Sequence, residues 1–146
     1  MPDPVKRRAA REQAFALLFE LSFHPGEALK DILAAHAALD DDTPAPEPFA
    51  LEVALCAESH LAELDDAIAQ RLKGWKLNRI SRAAHAILRL AVCEMQYFDD
   101  IPVGASINEA VELAKLYADE EAPRFVNGVL GAIARGGKDD NNDAGN

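Results

Sequence analysis

Between Ile107 and Ile133 the chain reads INEAVELAKLYADEEAPRFVNGVLGAI, two helical patterns joined by a short acidic turn. Ile107, Ala110, Val111, Ala114 and Tyr117 recur at spacings of three and four, and so do Phe125, Val126, Val129, Leu130 and Ile133. Apolar residues at that period mark a helix that lays one stripe against a core. Two such stripes, this close in sequence, predict an antiparallel helical hairpin with every other helix packed around it. Pro123 falls in the first turn of the second helix, where a missing N–H costs little. Asp119, Glu120 and Glu121 come just before that helix and favour its positive end.

The remaining chain is also helical in pattern. Lys6 to Phe23 carries a buried stripe of Ala10, Ala14, Leu17, Leu18 and Leu21, and His24-Pro25-Gly26 ends it. Glu27 to Leu39 reads as a second helix with Leu29, Ile32, Leu33 and His36 inward. Asp40 to Pro48 is an acidic, proline-rich loop. Phe49 to Lys73 reads as one long third helix, broken at Gly74-Trp75-Lys76. Leu77 to Ser81 is a short turn with Asn78 as its cap. Arg82 to Phe98 is apolar over most of its circumference, which predicts a central position. Gly136-Gly137 is expected to stop the last helix. The alanine-rich composition and the lack of alternating patterns make the fold class all-α. Residues 1–137 form one helical domain, and 138–146 a polar disordered tail.

Several function classes drop out. No apolar run approaches the ~20 residues that cross a bilayer, and the N-terminus does not read as a secretory signal, so the expected location is cytoplasmic. Cys56 and Cys93 each stand alone inside helical patterns and read as reduced thiols. There is no phosphate-cradling glycine loop, no HExxH and no CxxC, and no histidine has a glutamate three residues before it. His60 with Glu58 and Glu63 reads as a polar helix face, not a ligand set. The expectation is therefore no catalytic residue, no metal and no cofactor.

A net charge of −10 argues against a protein that coats nucleic acid, but the cations are not spread evenly. Of the 15 Lys and Arg, four are Lys6, Arg7, Arg8 and Arg11. Six more (Arg71, Lys73, Lys76, Arg79, Arg82 and Arg89) occupy a stretch with no acid. A local basic face can hold phosphates while the rest of the molecule repels them. Arginine offers a planar fork of donors suited to phosphate. Phe15 and Phe19 flank the first strip and could stack on bases or serve as core or partner contacts. The residues alone leave both an RNA-binding strip and an ordinary solvated helix face open. The second basic set spans three elements and reads better as solvated surface.

Five motifs in order resemble the NusB family of transcription antitermination factors. They are Arg7-Arg8-Ala-Ala-Arg11-Glu12-Gln-Ala14, Trp75-Lys-Leu-Asn-Arg79-Ile80 and Ile87-Leu88-Arg89-Leu90-Ala91-Val92-Cys-Glu94, then Ile107-Asn108-Glu109-Ala110-Val-Glu112-Leu-Ala114-Lys115 and Phe125-Val126-Asn127-Gly128-Val129-Leu130. The resemblance covers nearly the whole chain. It implies about seven helices in two small three-helix bundles and no catalysis. It implies binding of boxA RNA together with NusE, a small-subunit ribosomal protein, within an antitermination complex on RNA polymerase that serves ribosomal RNA operons. It places RNA contacts at Lys6, Arg7, Arg8, Arg11, Arg124 and Phe125. Phe19 stands where the family has an aromatic facing NusE, and Phe15 adjoins it. At Ala84 many relatives carry an acid that contributes to the NusE surface, so the partner surface here departs from the pattern. Relatives that form homodimers imply a state that hides the basic strip. The alternative is a helical protein-interaction adaptor built on Phe15 and Phe19, with RNA binding incidental.

Overall fold

A computed structural model describes the backbone of residues 4–39, 45–72 and 79–144, and the side chains of residues 6–39, 45–72 and 79–136. Among these residues there are seven helices and no strand: α1 (Pro4–Leu21), α2 (Leu29–Leu39), α3 (Pro48–Ser59), α4 (Leu61–Ala69), α5 (Arg82–Tyr97), α6 (Val103–Tyr117) and α7 (Ala122–Ala144). The acidic segment 40–44, the break at Gly74-Trp75-Lys76, and the expected turn residues Leu77 and Asn78 lie outside the described residues.

The organising element is α5, not the α6/α7 hairpin. From Ala86 to Glu94 all but one of its residues is buried, and α1, α3, α4, α6 and α7 all pack on it. α2 and α3 pack on α1 instead of on the hairpin. The result is an N-terminal group (α1–α3) and a C-terminal group (α5–α7, with α4 alongside) sharing one apolar core. Leu18, Leu29, Ile87, Leu88, Leu90, Val126 and Leu130 are among its largest fully buried side chains. Ser81 starts α5: its hydroxyl accepts the Ala84 N–H at 3.1 Å, the usual work of a helix-capping serine.

The hairpin forms as its periodicity predicts, with one rotation of the stripe. Ala110, Leu113 and Ala114 are buried, while Tyr117 is half exposed. Tyr117 leaves the core stripe because its ring stacks on Phe15 of α1, centroids 5.0 Å apart. Pro123 is the second residue of α7, and the turn before it is closed by the Ala122 N–H to the Asp119 carbonyl at 3.0 Å.

Two boundaries differ from the sequence expectation. The long third helix is two helices, α3 and α4, hinged at His60 (φ −124°, ψ 24°). The His60 imidazole Nδ1 lies 2.8 Å from the Cys56 carbonyl, and the His60 N–H goes to the Ala57 carbonyl. The ladder bond that would continue an α-helix is thereby replaced. The ring also stacks on Tyr97 of α5, centroids 4.1 Å apart. At the other end, Gly136-Gly137 does not stop α7, whose backbone stays helical to Ala144. Gly136 is buried, and a Cβ there would collide with the guanidinium of Arg71. That glycine serves close packing and not a left-handed helix cap.

The turn after α1 does need its glycine. Gly26 adopts φ +86°, a conformation that other residues adopt only with strain. α2 then begins with a cap that comes from far away: the Glu58 carboxylate of α3 accepts the Leu29 N–H at 2.6 Å. Of the residues expected to face inward on α2, Leu29 and Ile32 are buried. His36 instead sits at the surface, 2.9 Å from Glu20.

Candidate nucleic-acid interface

The basic strip opens α1, and its four cations have four different environments. Lys6 is exposed. Arg7 is half-buried, with its guanidinium 3.8 Å above the ring centre of Phe49. Phe49 is itself braced edge-on by Phe98, centroids 5.8 Å apart. A guanidinium laid on an aromatic face is held flat while its edges stay able to donate. Arg8 reaches across to α6, where Nε and Nη2 donate to Glu109 at 3.0 and 3.1 Å. Those hydrogen bonds, with the carboxylate charge behind them, raise the Arg8 pKa further above its ordinary value. The Arg8 side chain nonetheless remains 58% exposed.

Arg11 does not belong to this surface. It turns inward, and its side chain is 7% exposed. Nε and Nη2 donate to the two oxygens of Glu94 at 2.8 and 2.9 Å, and the Ser106 hydroxyl donates to the same carboxylate at 2.8 Å. The pair ties α1, α5 and α6 together. The helical spacing that puts Arg11 one turn from Arg7 also carries it to the seam with α5, where Glu94 would otherwise be a buried unpaired charge.

At the other end of α1 lies an aromatic row. Phe15 and Phe19 stack at 5.7 Å, and Phe23 meets Phe19 edge-on at 5.0 Å. Together with Tyr117, Ala83 and Glu20 they line an open apolar groove of about 470 Å³. Phe15 is buried and forms its floor, Phe19 is half-buried, and Phe23 is 51% exposed. Ala84 is not in the groove: it is buried beside Phe125, Arg79 and Ser81, and its neighbour Ala83 is the residue that faces the aromatic row.

Arg124 and Phe125 open α7, Arg124 exposed and Phe125 half-buried. They do not join the N-terminal strip. Arg8 lies opposite Glu109 and Phe15 opposite Tyr117, so α1 and α6 run parallel. Eight residues of α6 then separate the two levels, about 12 Å at ~1.5 Å per residue. α7 begins beyond Tyr117 and packs on α6, α5 and α4. Arg8 therefore sits level with the middle of α6, and Arg124 lies beyond its C-terminal end.

The second basic set does not converge either. Arg89 donates to both oxygens of Asp65 at 2.8 and 2.7 Å, with His85 at 2.7 Å from the same carboxylate. Burial pushes the Asp65 pKa up, but the hydrogen bonds from Arg89 and His85 outweigh it and hold the group at about 2. Arg82 donates to the Ser22 carbonyl at 2.6 Å and covers Phe23 at 4.6 Å. Lys73 and Lys76 lie outside the described residues. Cys56 and Cys93 are both free, and burial pushes the Cys93 thiol well above its ordinary pKa.

Sequence reasoning missed Phe49 and Tyr117 as neighbours of the strip and the aromatic row, whereas Glu109, a motif polar group that reads as bonding between helices, does so with Arg8. Among the described residues no group of three or more His, Cys, Asp or Glu is disposed to hold a metal, and no helix is long and apolar enough to cross a membrane.

Known proteins share this arrangement over most of the chain. The NusB family model matches residues 8–135. The transcription antitermination protein NusB of Bacillus pumilus is 46% identical over 132 residues, covering 88% of this chain and 95% of that protein. That of Bacillus subtilis is 43% identical over 132 residues, with the same coverage. Among solved structures, T. maritima NusB superposes with a TM-score of 0.75 at 37% identity, covering 92% of this chain and 93% of that one. A structure of the antitermination factors NusB and NusE in complex with dsRNA contains a chain that superposes with a TM-score of 0.78 at 27% identity, covering 92% and 99%. The chain belongs to the NusB family.

Proposed function

We propose that this protein is a non-catalytic transcription antitermination factor. It binds boxA RNA together with NusE and acts in the cytoplasm within the complex on RNA polymerase. The observation that carries the RNA reading is the N-terminal end of α1, where Arg7 lies flat on Phe49 and Arg8 stands more than half exposed beside it. In a chain of net charge −10, this end offers phosphates a fork of donors, with Lys6 exposed next to it. Arg124 and Phe125 form a second contact at the far end of α6, which an extended strand reaches only by crossing the domain. Arg11 serves this function indirectly, by fixing α1 on α5. The groove of Phe15, Phe19 and Phe23 receives NusE, with Phe19 as its wall and Phe15 as its floor.

The kinship with a NusB that was solved with NusE and dsRNA supports this reading. The net acidity makes RNA affinity weak for the isolated chain and stronger with the partner present. A gel-shift with boxA RNA against a scrambled sequence, with and without NusE, tests it. Selective retention of boxA RNA that strengthens with NusE is expected. Tight NusE binding with no RNA preference, even in the complex, would leave a protein-interaction adaptor instead.

A further inference from the structure

We infer that the outer face of α7 from Arg124 to Arg135 carries a further stretch of RNA backbone. The inference rests on the RNA-binding reading above and extends it to a site away from α1. Arg124, Gly128, Ala132 and Arg135 recur at spacings of four, four and three, so they share one face of the helix. They line an open groove of about 350 Å³ whose base includes Leu72 and Val129, with Arg71 at its wall. No side chain larger than a methyl stands between the two arginines on this face. Where a Cβ would project from Gly128 there is nothing within 4 Å.

The glycines leave room for the guanidinium groups. The Arg135 guanidinium folds back over Gly131, where a Cβ would lie 3.2 Å from Nη1, and Arg71 lies over Gly136. A Cβ at Gly136 would displace the Arg71 guanidinium, while one at Gly131 would ask Arg135 for only a small shift.

Most other described arginines are engaged within the protein, although Arg79, like Lys6 and Lys30, is also exposed without a carboxylate partner among the described residues. Arg8 is bound to Glu109, Arg11 to Glu94 and Arg89 to Asp65. Arg7 and Arg82 lie on aromatic rings. Arg124 and Arg135 are both exposed, and among the described residues no carboxylate forms an ion pair with either. No described acid lines the groove. Two exposed cations with no carboxylate partner among the described residues, about 16 Å apart at ~1.5 Å per residue, present a track for a polyanion. That span matches roughly five stacked nucleotides at ~3.4 Å each. Phe125, half-buried at the start of the track, offers a ring face to a base.

The test is fluorescence titration of a labelled single-stranded boxA RNA into the full chain with NusE, for wild type, Arg135→Ala and Arg135→Glu, at several salt concentrations. The expected result for Arg135→Ala is a Kd about three- to tenfold weaker and a slope of log K against log salt shallower by roughly 0.7, the share of one phosphate neutralised by one cation. Arg135→Glu should weaken binding further. An unchanged thermal midpoint for both variants keeps the effect from being assigned to unfolding. If wild type binds boxA RNA selectively and both variants match it in Kd and slope, the α7 track is wrong and the RNA reading stands. An equal weakening of NusE binding without RNA also overturns it, because the face would then bind protein. If wild type shows no RNA binding at all, the RNA reading and the track fall together.

Discussion

Arg11 and Glu94 meet in a two-pronged ion pair at 2.8 and 2.9 Å, almost wholly removed from solvent. Ser106 completes the carboxylate's hydrogen bonds. The motif arginine that looks most like part of a phosphate-binding strip thus works as a bolt between α1, α5 and α6. Removing one partner leaves a buried charge uncompensated, which typically costs about 3–5 kcal/mol. Glu94→Ala is therefore expected to lower unfolding stability by that order in urea titration. Replacing both residues with apolar ones of similar size, as in Arg11→Met with Glu94→Leu, should recover most of the stability. If Glu94→Ala moves the urea midpoint by no more than a surface substitution does, the bolt contributes nothing.

The Asp65 cluster gives the fold an acid-sensitive contact. Its carboxyl is held at about 2, below the ordinary 3.8, by Arg89 and His85. A depressed folded pKa means stability that is complete above about pH 4 and disappears as pH falls through about 2. The size is about 1–2 kcal/mol once solvent screening of this partly buried cluster is allowed for. Asp65→Asn should remove this component. Wild type and variant should differ most in thermal midpoint near neutral pH and converge by about pH 2. Parallel curves across that range would show that the cluster does not couple to folding.

In the proposed RNA reading, Glu109 competes with phosphate for Arg8. An exposed ion pair of this kind is weak, so RNA can displace it, yet the carboxylate left behind still repels the strand. Glu109→Gln is expected to tighten RNA binding several-fold, most visibly at low salt where screening is least. A weaker Kd for this variant would mean that Glu109 positions Arg8 for RNA instead of competing for it.

In the proposed function Phe19 belongs to the partner surface and not to the RNA surface. Its ring stacks on Phe15 and holds Phe23 edge-on at the groove wall. Phe19→Ala should weaken NusE binding about tenfold or more, in line with removal of an aromatic anchor. RNA binding by the isolated chain should not change. Calorimetry with each ligand in turn checks this, and an equal weakening for both ligands would merge the two surfaces.

What is legible in the sequence follows the range of the interactions involved. The apolar stripes place α1, α2, α5, α6 and the start of α7, because burial of a helix face is written at spacings of three and four. The central place of α5 is readable from its breadth of apolar residues. The break at His60 is not, because it depends on the imidazole reaching back to the Cys56 carbonyl while stacking on Tyr97 of another helix. Gly136 misleads for a similar reason: its role is to admit Arg71, which no local pattern announces. In the candidate site, Arg7 and Arg8 are legible as surface cations. The inward turn of Arg11 has a sequence signal of its own, since Glu94 lies in the most apolar helix and a buried carboxylate there requires a cation. The separation of Arg124 from the α1 strip comes from the parallel run of α1 and α6, which is a property of topology and not of composition.

The half-buried Arg7 and the exposed Arg8 that open α1 are proposed to bind RNA phosphates. The most direct test is a salt-dependent titration of boxA RNA in the presence of NusE, comparing wild type with Arg7→Ala plus Arg8→Ala. The expected outcome is a roughly ten- to hundredfold weaker affinity for boxA. The slope of log K against log salt should also fall by about 1.4, or roughly 0.7 for each phosphate-binding cation removed. An affinity and a slope both unchanged from wild type would contradict the claim.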